Sequence, residues 1–339
     1  MHKKKFITGN EAVVEAALSA GAVFMSGYPI TPSTEILELW AKNAQENKNL
    51  KFIQSEDETS AGFNVIGALL AGVKAFTATA GPGHVLMQDP ISMAEAMRLP
   101  FVGIIMQRGG PSTGTVIYSQ QEITLACFGG NGEGQRIVYS ASNPQDLYNL
   151  TQKAFYSAWK YRFPCLVLGD GYQAKMMTQV ELIDDKKYKI EAKPIIDDKN
   201  QNMRNCFNFE KELASNLIKN QKQYLNMIPS IVESESYKIE GAEKVIVAHG
   251  IIANAARQAV DVLRNKNKKI GLFRPITLRP LDFTTLSRVA ANTQELLIVE
   301  SSFGQFERII KSGLYGLVKI KTIQKPAESI SPEEIIQAL

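Results

Sequence analysis

Between residues 6 and 180 the chain alternates short apolar runs with longer segments of helical periodicity. That alternation restricts it to a layered α/β fold with a largely parallel sheet. The apolar runs fall at 22–25, 52–53, 75–79, 101–106, 136–139 and 165–168. The helical patterns lie between them. The first is capped by Asn10, carries Val13, Val14, Ala17 and Leu18, and stops at Gly21, where a left-handed residue ends a helix cheaply. Ile36, Leu37 and Trp40 mark the next. The segment from 55 to 72 is unusually rich in Ala and Gly, as suits a helix buried on most of its faces. Leu86, Met87, Ile91 and Met97 mark another, and 143–161 the last of this unit.

From Lys244 the alternation resumes, with strands at 245–247, 270–273 and 296–299 and a helix over 253–263; Arg274 to Pro280 reads as a link from strand to helix. In between, Lys, Asp and Asn dominate 184–204, the composition of a solvated linker, and a helix is expected over 210–225. A length of 339 residues suits about two domains. The predicted division is a first α/β domain over 1–183, a linker with a helix over 184–240, and a second α/β domain over 241–339.

Composition narrows the function classes. The chain is 45% hydrophobic and 21% charged, with a net charge of only +4 spread along its length. That balance suits a protein with a sizeable core and does not favour nucleic acid as a partner. The Lys3-Lys4-Lys5 cluster reads as a solvated end; no apolar run follows it, so no signal peptide or membrane span is expected. Cys127, Cys165 and Cys206 are far apart, and His2, His84 and His249 are scattered. This argues for a reducing compartment, the cytoplasm, and against a metal or iron–sulfur site held by this chain alone.

The chemistry-bearing residues sit where predicted strands end, which is where open α/β sheets bind ligands. After the first strand comes Gly27-Tyr28-Pro29-Ile30-Thr31-Pro32-Ser33-Thr34-Glu35. Here Pro32 suits a first helical position and Thr31 an N-cap, a place able to hold a carboxylate. Ser55-Glu56-Asp57-Glu58 puts three acids at a helix start. They complement the dipole, but an acid facing inward on a buried helix needs a specific partner. Gly81-Pro82-Gly83 is a turn that permits close approach. Gln107-Arg108 leads into Gly109-Gly110-Pro111-Ser112-Thr113-Gly114, and an Arg there can grip an anion. Two further segments read as ordinary loops. Gly129 to Gly134 is Gly-rich but lacks the Gly-Lys-Ser/Thr of a phosphate loop. Gly169-Asp170-Gly171 matches the start of the Gly-Asp-Gly…Asn signature that holds Mg²⁺ and a diphosphate. The only Asn candidates at that spacing, Asn200 and Asn202, fall in the linker, so the segment reads as a strand-end turn.

Taken in order, Tyr28-Pro29-Ile30-Thr31-Pro32-Ser33-Thr34-Glu35, Ser55-Glu56-Asp57-Glu58, Thr79-Ala80-Gly81-Pro82-Gly83 and Gln107-Arg108-Gly109-Gly110-Pro111-Ser112-Thr113-Gly114 resemble the alpha subunit of 2-oxoacid:ferredoxin oxidoreductases. The resemblance is to the 2-oxoglutarate and 2-oxoisovalerate branch, and it covers essentially the whole chain. It implies a pyrimidine-binding thiamine diphosphate domain followed by a transketolase C-terminal-like domain. It implies CoA-dependent oxidative decarboxylation of a 2-oxoacid, 2-oxoglutarate first, with electrons passed to ferredoxin. A branched-chain 2-oxoacid is the alternative, and a non-redox thiamine-dependent decarboxylase or transketolase-like subunit the next. By the family register Glu58 is the acid that hydrogen-bonds N1′ of the cofactor, Thr31 and Arg108 contact the substrate carboxylate, and Pro29 and Ile30 border the cofactor. The departures are informative. Without cluster cysteines or a diphosphate signature, Mg²⁺ and the iron–sulfur cluster are expected on a beta subunit, with gamma and ferredoxin-like delta subunits completing the assembly. His84 stands where an apolar residue is expected and reads as a structural histidine.

Overall fold

The computed structural model describes residues 3–183, 185–196, 203–314 and 316–339. Asn200 and Asn202 lie outside them. Two sheets carry the fold. The larger has seven strands in the spatial order Thr277–Arg279, Ile137–Ser140, Cys165–Asp170, Val102–Gln107, Ala75–Thr79, Phe24–Gly27, Lys51–Gln54, all parallel except the first. The chain leaves Phe24–Gly27 for a neighbour on one side, then returns to the other, so the strand order reverses there. That reversal opens a crevice at the strands' carboxyl ends. The second sheet has five strands, ordered Lys319–Gln324, Glu295–Glu300, Lys244–Val247, Ile270–Pro275, Ser234–Tyr237, with only the last antiparallel.

The core of the larger sheet lies on both faces. On one, Trp40, Phe76 and Phe155 meet edge to face, with centroids 5.0 and 5.9 Å apart; such pairs add about 0.5–1.5 kcal/mol beyond area burial. On the other, helix Glu58–Leu70 packs against helix Gln88–Ala96. Its small residues are what allow this: a Cβ at Gly62 would stand 2.4 Å from Cγ of Pro90. Among the described residues no helix is long and apolar enough to cross a membrane.

Several local expectations are corrected. Asn10 does not cap the first helix. Thr8 does, in a reciprocal box with Glu11, while Asn10 lies inside Gly9–Ser19 and donates to the Pro32 carbonyl and the Glu35 carboxylate. Thr31 and Pro32 are not an N-cap and a first helical residue either: the Thr31–Pro32 peptide is cis, and the helix runs Thr34–Glu46 behind Ser33. The lysines at the start are solvated, Lys3 and Lys4 being exposed, but they belong to a regular element. Lys3–Ile7 is a strand paired antiparallel with Thr178–Leu182, and Lys4 and Lys5 pair with Glu181 and Glu15. The link after Ile270–Pro275 contains the strand Thr277–Arg279, which adds an edge to the first sheet rather than the second. The segment 86–97 holds a break at Met87 between Pro82–Leu86 and Gln88–Ala96, and the helix from Glu210 extends to Ile231.

Candidate active site

Glu58, Thr31 and Arg108 converge in the crevice at the strand reversal, each from the end of a different strand. The three acids at 56–58 separate by environment. Glu56 is exposed and accepts from the Ser60 hydroxyl. Asp57 is the N-cap, accepting the Ser60 N–H at 2.7 Å, and this bond holds its carboxyl below the usual range. Glu58, the first helical residue, is the acid that turns inward and is 4% exposed. Burial pushes its carboxyl upward, the Asp57 charge adds to that, and Arg108 opposes it. The protonated form is therefore favoured more than in an ordinary carboxyl.

The Gly81-Pro82-Gly83 turn makes room for the two charged side chains. A Cβ at Gly83 would stand 2.1 Å from Oε1 of Glu58 and 2.2 Å from Oγ1 of Thr79. One at Gly81, where φ is +51°, would stand 2.6 Å from Nε of Arg108. The close approach expected from the glycines is thus made by the chain's own acid and base. Gly83→Ala is expected to displace Glu58 and lower any turnover that depends on it by at least tenfold, because a misplacement near 1 Å costs up to about 10² in rate. Steady-state kinetics on the variant checks this, with unchanged kcat the contrary result.

Arg108 follows strand Val102–Gln107 and is buried. Its Nη1 donates to the Thr31 backbone carbonyl at 2.8 Å, and its Nε is buried without a partner among the described residues. Thr31 is itself exposed and meets Arg108 through its backbone carbonyl. Pro29 and Ile30 lie on the same turn; Ile30 contributes its carbonyl, which accepts from the N–H and hydroxyl of Ser33.

Glu122 is the residue that sequence reasoning missed. Its Oε1 accepts the backbone N–H of Gly81 at 3.0 Å and of Arg108 at 2.9 Å, and its Oε2 meets Nδ1 of His84 at 2.9 Å. One buried carboxylate thereby ties together the turn beside Glu58, the residue bearing the guanidinium, and His84. In sequence it is the end of a polar run, Ser119-Gln120-Gln121-Glu122, with nothing to set it apart. His84 is fully buried and held by Glu122.

Beside Arg108 opens a cavity of about 460 Å³ lined by Pro82, Val85, Leu86, Gly110, Leu125 and Glu122, among others. Its walls are mostly apolar, and Val85, Leu86, Val116, Ile117 and Phe128 around this part of the molecule remain exposed.

The residues fit the aminopyrimidine end of thiamine diphosphate. They offer a buried acid with a raised pKa and an orphaned Thr79 hydroxyl beside it, both packed against a glycine turn that leaves them room. They do not supply the diphosphate end. Asp170 caps the helix Gly171–Lys175, accepting from Gln173 N–H at 2.9 Å, and a Cβ at Gly171 would stand 1.6 Å from the Ile117 carbonyl. The Ile117 backbone packs directly against this turn. Burial pushes the Asp170 carboxyl up to about 7. Native protein therefore binds this proton more tightly than the unfolded chain, and the stability it contributes is lost as pH rises from about 4 to 7, at roughly 1.4 kcal/mol per pH unit. Asp170→Asn keeps the cap and removes the charge, so thermal melts should show it gaining on the parent across that window. A pH-independent difference would contradict the burial argument.

A model of the pyruvate flavodoxin/ferredoxin oxidoreductase thiamine-diphosphate-binding domain matches residues 15–245, and one of pyruvate:ferredoxin oxidoreductase core domain II matches 242–335. The chain is 30% identical to the 2-oxoglutarate synthase subunit KorA of Methanothermobacter marburgensis, over all of this chain and 99% of that one. It is 34% identical to the ketoisovalerate oxidoreductase subunit VorB of the same organism, over 91% and 89%. It superposes with a TM-score of 0.88 and 25% identity on the 2-oxoglutarate:ferredoxin oxidoreductase of Magnetococcus marinus, solved with 2-oxoglutarate, coenzyme A and succinyl-CoA bound. That match covers 99% of this chain and 64% of the Magnetococcus chain.

Proposed function

The chain belongs to the pyruvate flavodoxin/ferredoxin oxidoreductase family, and from that premise we propose that it is the alpha subunit of a CoA-acylating 2-oxoacid:ferredoxin oxidoreductase. It converts 2-oxoglutarate and coenzyme A to succinyl-CoA and CO₂ while two electrons pass to ferredoxin. Relatives named 2-oxoglutarate synthase, matched over 91–100% of this chain, support this, as does the Magnetococcus structure with the same substrate and product. The observation that carries it is the meeting of buried Glu58 and Arg108 across the Gly81-Pro82-Gly83 turn.

Thiamine diphosphate, when bound, supplies the nucleophilic carbon and electron sink that 2-oxoacid decarboxylation needs. Glu58 would hold a proton for the N1′ ring nitrogen, and burial favours the protonated carboxyl by raising it above its ordinary value. Arg108 presents its guanidinium to the substrate carboxylate, a geometry suited to a planar fork, and Thr31, Pro29 and Ile30 border the same turn. Glu122 fixes the backbone that carries them. With a partner subunit seated over them, the apolar walls of the cavity would keep water from the carboxylate contact at Arg108.

The rest of the machinery belongs to partner subunits. We assign Mg²⁺, the diphosphate end and the iron–sulfur cluster to a beta subunit seated over the exposed apolar side chains by the cavity, with gamma and delta subunits beyond it and the assembly in the cytoplasm. The three-part division at 183 and 240 is part of the same reading.

One observation favours a second substrate. Pro82, Val85, Leu86 and Leu125 line the cavity, and Arg108 is the lone cation among its lining residues, which suits a branched apolar tail. A panel of 2-oxoglutarate, 2-oxoisovalerate and pyruvate on the co-expressed complex decides. The highest kcat/KM is expected for 2-oxoglutarate, and a preference for 2-oxoisovalerate would reverse the order.

A further inference from the structure

The segment from Arg108 to Thr124 leaves the first sheet, makes an excursion and returns, and its exposed tip spans 111–117. Its ends are tied within the first sheet's own unit by Glu122 to Arg108 N–H and by Gln121 Oε1 to Gly110 N–H at 3.0 Å. Its return limb is gripped from elsewhere, by the segment that carries the second sheet. Gln120 exchanges bonds with Ser301 in both directions, N–H to carbonyl at 3.3 Å and Oε1 from N–H at 3.2 Å, and its Nε2 donates to the His249 carbonyl at 2.9 Å. Gln305, first residue of helix Gln305–Ser312, donates Nε2 to the Gln121 carbonyl at 2.7 Å and accepts the Thr124 N–H at 3.0 Å. On the outgoing limb, a Cβ at Gly109 would stand 3.2 Å from Cβ of Ala327. Gln305 thus holds the peptides on either side of Glu122, and Glu122 holds Arg108 and Gly81. None of these second-sheet residues lines the cavity.

From this chain of contacts we infer that Gln305 is a positioning residue. It fixes Glu122, and through it Arg108, so that substrate affinity is set by a domain that contributes no side chain to the cavity. The inference rests on the reading of Arg108 as the carboxylate contact. Gln305 is partly exposed, so its removal leaves the core intact. Loss of its two bonds should let the return limb of the segment drift, weakening the carboxylate grip in ground state and transition state alike.

Two measurements test it. In the co-expressed complex, Gln305→Ala is expected to raise KM for the 2-oxoacid roughly tenfold, the scale of one to two lost hydrogen bonds, with kcat within about twofold and melting temperature unchanged. Gln305→Glu keeps the acceptor for Thr124 and loses the donor to Gln121, so it should fall between. In the full chain without partners, hydrogen exchange of Gly110, Thr115 and Thr124 amides should speed up in Gln305→Ala while exchange in strand Val102–Gln107 stays constant. A lowered melting temperature with unchanged KM would mark Gln305 as merely structural and overturn the inference, as would unchanged exchange across the segment. If the parent complex turns over no 2-oxoacid, the functional reading fails, and the exchange arm still decides the clamp.

Discussion

Glu58→Ala is expected to lower turnover of the assembled enzyme by roughly 10²–10⁴-fold, the range for losing a positioned acid–base group. Space is not what the variant tests, so Glu58→Gln belongs beside it. Glutamine fills the same room against Gly83 and Thr79 but has no acidic proton to hold at a ring nitrogen. Both variants should therefore fall to a similar level. Glu58→Gln should also fold as well as the parent, because it removes a carboxyl that burial already disfavours in its charged form. Of the neighbouring acids, Glu56→Ala should change turnover little, since its carboxylate is exposed and bonded to the Ser60 hydroxyl. Near-normal kcat in Glu58→Gln would mean that the proton comes from another group.

Arg108→Ala is expected to act on binding. A charge-assisted contact to a carboxylate contributes about 1.5–3 kcal/mol, so KM for the 2-oxoacid should rise roughly 10- to 100-fold with kcat far less affected, provided ground and transition states share the contact. Arg108→Lys should recover little of this. An ammonium is a point charge on a single terminal nitrogen and cannot reproduce the planar bidentate fork. A variant with unchanged KM would remove Arg108 from the substrate contact.

The α/β alternation, most strand positions and the meeting of Thr31, Glu58 and Arg108 at strand ends were legible in the sequence, because hydrophobic period and Gly/Pro punctuation are local signals. The resemblance carried by four segments in order implies Glu58 rather than its acidic neighbours as the cofactor's acid, and Glu58 is the one of the three that is buried. What was not legible depends on residues distant in the chain. Glu122 gains its importance only once Gly81, His84 and Arg108 are folded around it. Thr277–Arg279 reads as a connector until Ile137–Ser140 offers it an edge. Asn10 looks like a cap by type, yet Thr8 takes the cap and Asn10 reaches Pro32 and Glu35, more than twenty residues away. The Pro-framed turn was misread for a similar reason. Its geometry follows from Ser33 bonding back to Ile30, with the helix beginning at Thr34, and not from proline's preference for a first helical turn.

The central claim is that this chain forms one wall of a shared 2-oxoacid-oxidising site. Its most direct test is reduction of ferredoxin or a viologen by 2-oxoglutarate and CoA, measured with the purified chain alone and with the complex co-expressed with its partner subunits. The account predicts no reduction by the chain alone, and reduction by the complex that requires both the 2-oxoacid and CoA. Acceptor reduction by the isolated chain, or a complex that releases CO₂ from 2-oxoacids while reducing no acceptor, would contradict it.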